Sequence, residues 1–217
     1  YQTVSNQFAT SQKFTANGNA YGLSSTNTNA HMMKNSEWGA VAYLAQSIYG
    51  REGTEITINS KYYYEATGSG NAIRTAITGY EELLPNGVNA STTANMTGVF
   101  DMSGGVYEYT ADCYNNATTI STVLTNSKYF KRYPATQETN SYGDAIYETK
   151  EWYDKQTRYY SQNYTVFGRG GCYKLADSSS DLKYAGLFAF GTWDGSYHVD
   201  PDSVIRDTYG FRAVLAF

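Results

Sequence analysis

Apolar residues come in short, glycine-punctuated bursts along this chain, and the spacing within each burst names an element. From Asn35 to Tyr49, Trp38, Val41, Ala42, Ala45, Ile48 and Tyr49 recur at three- and four-residue steps, the stripe of an amphipathic helix. Asn35 or Ser36 can cap it, Glu37 suits the first turn, and Gly50 follows as the stop. In Gly98–Thr110 the pair Gly104-Gly105 turns the chain, after which Val106, Glu108 and Thr110 alternate with Tyr107 and Tyr109, the period of a strand. Gly168-Arg169-Gly170-Gly171-Cys172-Tyr173 and Gly210-Phe211-Arg212-Ala213-Val214-Leu215-Ala216-Phe217 read as two further strands. A polar excursion lies between them, interrupted by the apolar run Gly186-Leu187-Phe188-Ala189-Phe190.

The other stretches are less patterned. Residues 1–34 form a polar lead-in with thinly spaced Val4, Phe8, Phe14, Tyr21 and Leu23, expected to pack on the domain with one strand and a turn at Asn19–Leu23. Loop dominates residues 51–97, where Gly68-Ser69-Gly70-Asn71 lacks the Lys-Ser/Thr ending of a phosphate cradle and reads as a surface turn. Residues 111–167 are long, polar and Tyr-rich, a folded insertion with a short helix near Ala145–Arg158. We divide the chain into the lead-in, 1–34, and one domain, 35–217, that carries this insertion.

Composition narrows the function classes. Charged residues are 17% and aromatics 16% of the 217 residues, with 23 Tyr, so contact surface rests on rings and neutral hydrogen-bonding groups. A net charge of −4 with scattered Lys and Arg gives no footprint for nucleic acid, and no apolar run has the length of a membrane span. Tyr1 is not an initiator residue. We expect a targeting or anchoring segment upstream and an extracellular, cell-surface or virion location, with no membrane contact by this chain itself.

Single residues that invite chemistry have plainer readings. His31 has no second His nearby and is expected to be a hydrogen-bonded structural histidine rather than a metal ligand. Glu108 lacks a partner acid or His at a recognisable spacing, so we read it as a carboxylate holding backbone amides of a neighbouring loop, not as a general acid. Cys113 and Cys172 are in no metal-ligand spacing and are a disulfide, two free thiols or one of each role.

Three segments stand in a familiar order. Asn35-Ser36-Glu37-Trp38-Gly39-Ala40-Val41-Ala42-Tyr43-Leu44, Gly98-Val99-Phe100-Asp101-Met102-Ser103-Gly104-Gly105-Val106-Tyr107-Glu108-Tyr109, and the closing Gly168-Arg169-Gly170-Gly171 with Gly210-Phe211-Arg212 resemble the formylglycine-generating-enzyme-like, or sulfatase-modifying-factor, branch of the C-type lectin fold. The resemblance implies an α+β domain of small twisted antiparallel sheets, few helices and much loop. The family's middle motif is Gly-Asn-Val-Trp-Glu-Trp, in which Gly105, Tyr107 and Tyr109 here replace Asn and both Trp. Its enzymes oxidise a substrate cysteine with two active-site cysteines whose places, by the register of Gly170-Gly171-Cys172-Tyr173, fall on Leu175 and Ser180. Copper-binding thiolates cannot be built from Leu and Ser, so the oxidase activity does not carry over. If the strands bearing Cys113 and Cys172 are neighbours, the resemblance also implies a disulfide between them.

Calcium-dependent sugar binding of the lectin type is not supported either, because Asp200-Pro201-Asp202 and Trp193-Asp194 stand in the wrong order. No cofactor is expected, although a structural calcium held by scattered carboxylates and carbonyls is compatible with the chain. What the resemblance leaves is the non-enzymatic use of the fold, as in the variable proteins of diversity-generating retroelements and the receptor-binding proteins of phage and bacterial surfaces. It implies an adhesion or receptor-binding role toward a protein or glycan on another cell. The candidate ligand-binding residues are Tyr173, Lys174, Asp177, Ser178, Ser179, Asp181, Trp193, Asp194, Ser196, Tyr197 and His198, where Tyr and Trp give contact area at low entropic cost and Ser, Asp and His adaptable hydrogen bonds. The alternatives are an oxidoreductase of the same family and a structural subunit of a tail fibre or pilus. Sequence leaves the oligomeric state open.

Overall fold

The structure, a computed structural model, describes residues 4–52, 65–66, 72–73, 91–94, 98–104, 106–114, 127–133, 143, 145–146, 166–171, 186–190 and 209–217. Among the described residues, two helices and eight short strands make a mixed α+β domain. The lead-in corrects the sequence reading first: it opens on helix α1, Val4–Gln12, followed by a 3-10 turn at Lys13–Thr15. Its Ser, Thr and Asn are indifferent helix formers, so tertiary burial supplies much of the stability. Val4 and Phe8, one turn apart, are each 1% exposed and sit in the core with Met32, Tyr109, Ala111, Cys113 and Val166. The expected turn follows. Asn19 organises it by donating from Nδ2 to the Ala16 and Leu23 carbonyls while its Oδ1 accepts from the Tyr21 and Leu23 amides.

Strand β1, Asn29–Met32, pairs antiparallel with β8, Ala213–Ala216, in the register His31↔Val214. The two ends of the domain are thereby tied together. Helix α2, Asn35–Gln46, starts where expected but ends earlier. Neither Asn35 nor Ser36 caps it: the Asn35 N–H donates to the buried Asp112 carboxylate, and the Lys34 N–H donates to Glu37 Oε2 at 2.8 Å. Trp38, Ala42 and Ala45 face the core, whereas Ile48 and Tyr49 are 71% and 81% exposed. The chain turns back at Gly50, where a Cβ would collide with the Ala45 backbone, so close backbone approach, not helix continuation, decides that position.

Strand β4, Tyr107–Tyr114, is the centre of the largest sheet. It pairs antiparallel with β6, Val166–Arg169, and parallel with both β5, Lys131–Tyr133, and β7, Tyr209–Phe211. This sheet is therefore mixed, a departure from the antiparallel expectation, while β1–β8 and the small pair β2, Glu65–Ala66, with β3, Ala72–Ile73, are antiparallel. Alternation along β4 divides its faces. Tyr107 and Tyr109 stack on Tyr209 at 5.1 and 4.9 Å between ring centroids, and Tyr109, Ala111 and Cys113 share a core with α1. Glu108 and Asp112 are buried polar residues on the other face, Asp112 holding the start of α2.

Cys113 is a free, buried thiol that lies opposite Val166 in the sheet. Cys172, the bridge partner considered from the sequence, lies outside the described residues.

Candidate functional site

The sheet frame gathers the ends of the two polar stretches, residues 172–185 and 191–208, at one place. Gly170 and Gly171 turn the chain out of β6 with φ of 81° and 72°, values open to glycine at no steric cost. The chain comes back at Gly186, whose N–H donates to the Gly170 carbonyl at 3.0 Å, and the Gly170 N–H donates to Ala189. Residues 186–190 are fixed further by Trp38, whose Nε1–H donates to the Leu187 carbonyl at 2.8 Å. The second stretch leaves after Phe190, which bridges Arg169, and rejoins the sheet at Tyr209, opposite Tyr107. Phe190, Arg169, Glu108 and Gly210 thus lie in register across the sheet.

Two arginines brace this row. Arg169 is fully buried, with its guanidinium 5.7 Å from the Trp38 ring centroid and 5.4 Å from that of Phe190. Its Nη1 and Nη2 both donate to the Ala145 carbonyl at 3.1 Å. Arginine suits the position because its flat, weakly hydrated cation stacks on rings while its edge donates. Arg212, between β7 and β8, holds Glu108 through Nε at 2.9 Å and through Nη2. Burial pushes the Glu108 carboxyl above the usual range, and the Arg212 charge and hydrogen bond oppose it. The expectation that Glu108 holds loop amides is corrected by this pairing: its partner is a side chain distant in sequence. Both arginines were visible in the sequence only as parts of glycine motifs, and an arginine set among glycine and aromatic residues was the available signal.

His31 is buried and hydrogen-bonded at both ring nitrogens, Nδ1 to Asn29 Oδ1 at 2.9 Å and Nε2 to Glu37 Oε1 at 2.8 Å, as a structural histidine should be. Burial pushes Glu37 up, but hydrogen bonds from His31 and the Lys34 N–H, with the charges of both residues, outweigh it and hold the carboxyl below its ordinary value.

Tyr173, Lys174, Asp177, Ser178, Ser179 and Asp181 belong to the first polar stretch, and Trp193, Asp194, Ser196, Tyr197 and His198 to the second. All of these candidates, and Cys172, lie outside the described residues. The frame brings together the points from which their segments depart and return.

A family model described as a sulfatase-modifying factor enzyme 1-like domain matches residues 32–217. The chain belongs to this family. Comparisons with curated proteins and with solved structures gave no match. The family's fold is C-type-lectin-like, and the match starts at the end of β1, so α1 precedes it while still placing Val4 and Phe8 in the core.

A copper centre of the sulfatase-modifying-factor oxidases needs paired thiolates, and this chain's donors do not fit one. The chain has two cysteines in all, Cys113 and Cys172, so a thiolate pair would have to include Cys113. Cys113 is sealed among core side chains on β4, where burial pushes its thiol up to about 11, the opposite of an activated or metal-binding sulfur. Among the described residues, no group of three or more His, Cys, Asp and Glu could hold a metal ion.

Proposed function

We propose that this sulfatase-modifying-factor-like domain binds a ligand and catalyses nothing, with residues 172–185 and 191–208 forming one recognition face. The observation that carries this reading is the shared base of the two stretches: Gly170 and Gly186 are hydrogen-bonded, and Phe190, Arg169, Glu108 and Gly210 lie in one row. A braced sheet end is the kind of support from which side chains can change without disturbing the core. The residues assigned to the face are Tyr173, Lys174, Asp177, Ser178, Ser179, Asp181, Trp193, Asp194, Ser196, Tyr197 and His198, and the partner is a protein or glycan on another cell or surface. The composition of the two stretches favours this over an oxidase, since rings and small polar groups make adaptable contacts.

The proposal also covers diversification of these stretches. An imperfect repeat of the C-terminal coding segment, differing mainly at adenines and lying beside a reverse transcriptase gene, is the expected genomic companion.

Binding of the labelled domain to panels of bacterial cells and immobilised glycans tests the reading. A Tyr173→Ala/Trp193→Ala/Tyr197→Ala variant should lose the wild-type signal by at least about 100-fold, because buried aromatic anchors carry most of such an interface. Undiminished binding by that variant would overturn the assignment of the face. Oxidation of a cysteine-containing peptide in the presence of copper and oxygen would overturn the non-catalytic reading.

A further inference from the structure

A polar trough lies at the meeting point of β1 and β8, built from residues that the recognition face does not use. One part of it offers about 460 Å³ between the end of α1, the turn before β1, the end of β8 and the chain entering β5, a volume within the range of roughly 300–1,000 Å³ typical of small-molecule sites. A second hollow of about 510 Å³ runs on from it along the Asn19 turn and shares Gln12, Thr15, Ser25 and Thr26 with it. The two together suit an elongated ligand.

The lining decides the chemistry. Gln12, Thr15, Asn27 and Asn29 present amides and hydroxyls, Lys128 is a cation, and no carboxylate side chain occurs in either lining among the described residues. An apolar ligand would strip water from these groups and return no hydrogen bonds. A polyphosphate would call for several cations rather than one. Neighbouring hydroxyls, each both donor and acceptor, match amide and hydroxyl side chains, and a single lysine matches a single carboxylate.

Two of the groups are held in advance. Asn29 Oδ1 is 2.9 Å from His31 Nδ1, and His31 Nε2 is 2.8 Å from Glu37 Oε1, so the carboxylate fixes the ring, the ring fixes the amide, and the other amide atom of Asn29 is left for the trough it lines. The Tyr129 ring stacks on His31 at 5.0 Å between centroids, and Lys128 Nζ lies 4.8 Å from the Tyr129 centroid. Preorganisation of this kind lowers the entropic cost of binding.

We propose that this trough is a second binding site, independent of the recognition face, for an oligosaccharide that carries a carboxylated sugar. Ring hydroxyls hydrogen-bond to Gln12, Thr15, Asn27 and Asn29, and the carboxylate pairs with Lys128 Nζ. Titration calorimetry with sialylated and uronic-acid oligosaccharides, each beside its neutral counterpart, tests this on the full chain. The acidic sugars should bind at least about tenfold more tightly than the neutral ones, the scale of one charge-assisted hydrogen bond. Lys128→Gln, a change at an exposed position, should reduce the acidic sugars to the neutral level, and Asn27→Ala should weaken both. The Tyr173→Ala/Trp193→Ala/Tyr197→Ala variant should bind these sugars as the wild type does. Failure of every acidic sugar to bind, equal affinity for neutral ones, or binding lost in the triple variant and retained in Lys128→Gln would each overturn the site; the last result would credit the recognition face instead.

Discussion

Arg212 grips the Glu108 carboxylate through both Nε and Nη2, joining the start of β4 to the residue between β7 and β8 across 104 residues of sequence. Glu108 lies in the same row as Arg169 and Phe190, so the pair belongs to the base of the proposed recognition face as much as to the core. An ion pair in this place fixes which strand lies beside β4 more than it adds stability, since desolvation offsets much of the Coulomb attraction.

Removing one partner should therefore cost far more than the pair itself is worth. Arg212→Met leaves a buried carboxylate and should destabilise the domain by about 3 kcal/mol, at the low end for buried pairs, because the Arg212 side chain keeps 24% of its exposure. The double variant Glu108→Met/Arg212→Met should lose less than the sum of the single changes. Urea titration measures both, with the midpoint moving at constant slope. Additive losses would show that the two side chains are not coupled.

Glu37 sets an acid limit on stability. Its folded pKa is depressed by His31 and Lys34 despite burial, so the carboxylate contributes fully above its unfolded value, about 4.3, and the contribution is lost as pH falls through the lower folded value. The gap in unfolding free energy between wild type and Glu37→Gln should be constant above about pH 5.5 and shrink toward lower pH. A gap that widens on acidification would reverse the sign of the linkage.

Legibility in the sequence followed the range of the interactions. The start of α2 at Asn35, the first residues of β4 and the closing strands were readable, because their patterns are local. Helix α1 was not, since Val4 and Phe8 alone carry its apolar face and its Ser, Thr and Asn residues favour turns and caps as much as helix. The helix stripe also ran on to Ile48 and Tyr49, which are exposed, because periodicity cannot foresee that Gly50 packs on Ala45. Of the candidate site, the sequence offered residue types and glycine boundaries. The support beneath it, Arg169 on Trp38 and Phe190 and Arg212 on Glu108, depends on pairings between distant segments.

Gly170 and Gly22 separate two effects of an added methyl group. Both have positive φ, 81° and 68°, but a Cβ on Gly22 meets nothing within 4 Å, whereas on Gly170 it meets the Met102 carbonyl at 2.9 Å and the Trp38 ring at 3.2 Å. Gly22→Ala should cost about 1–2 kcal/mol, the left-handed backbone term alone. Gly170→Ala should cost clearly more and should also displace the point from which residues 172–185 depart. Equal thermal midpoints for the two variants would mean that the close approach at Gly170 is relieved without penalty.

Cys113 offers a direct check on the central strand. Its thiol is free, packed with Val4, Phe8, Met32 and Val166, and pushed up to about 11 by burial, with the nearby Arg132 charge only partly opposing. Alkylation requires the thiolate and access to it, so iodoacetamide at about pH 8, near the ordinary cysteine pKa, should leave Cys113 unmodified in the folded protein. Unfolding in urea without reductant should expose it fully, and peptide mass mapping reads both states. A need for reductant before labelling would show that Cys113 is disulfide-bonded after all. Rapid labelling of the native protein would place Cys113 at the surface and reopen a chemical role for it. Cys113→Ser, which buries a hydroxyl in the same apolar cluster, should cost about 1–3 kcal/mol.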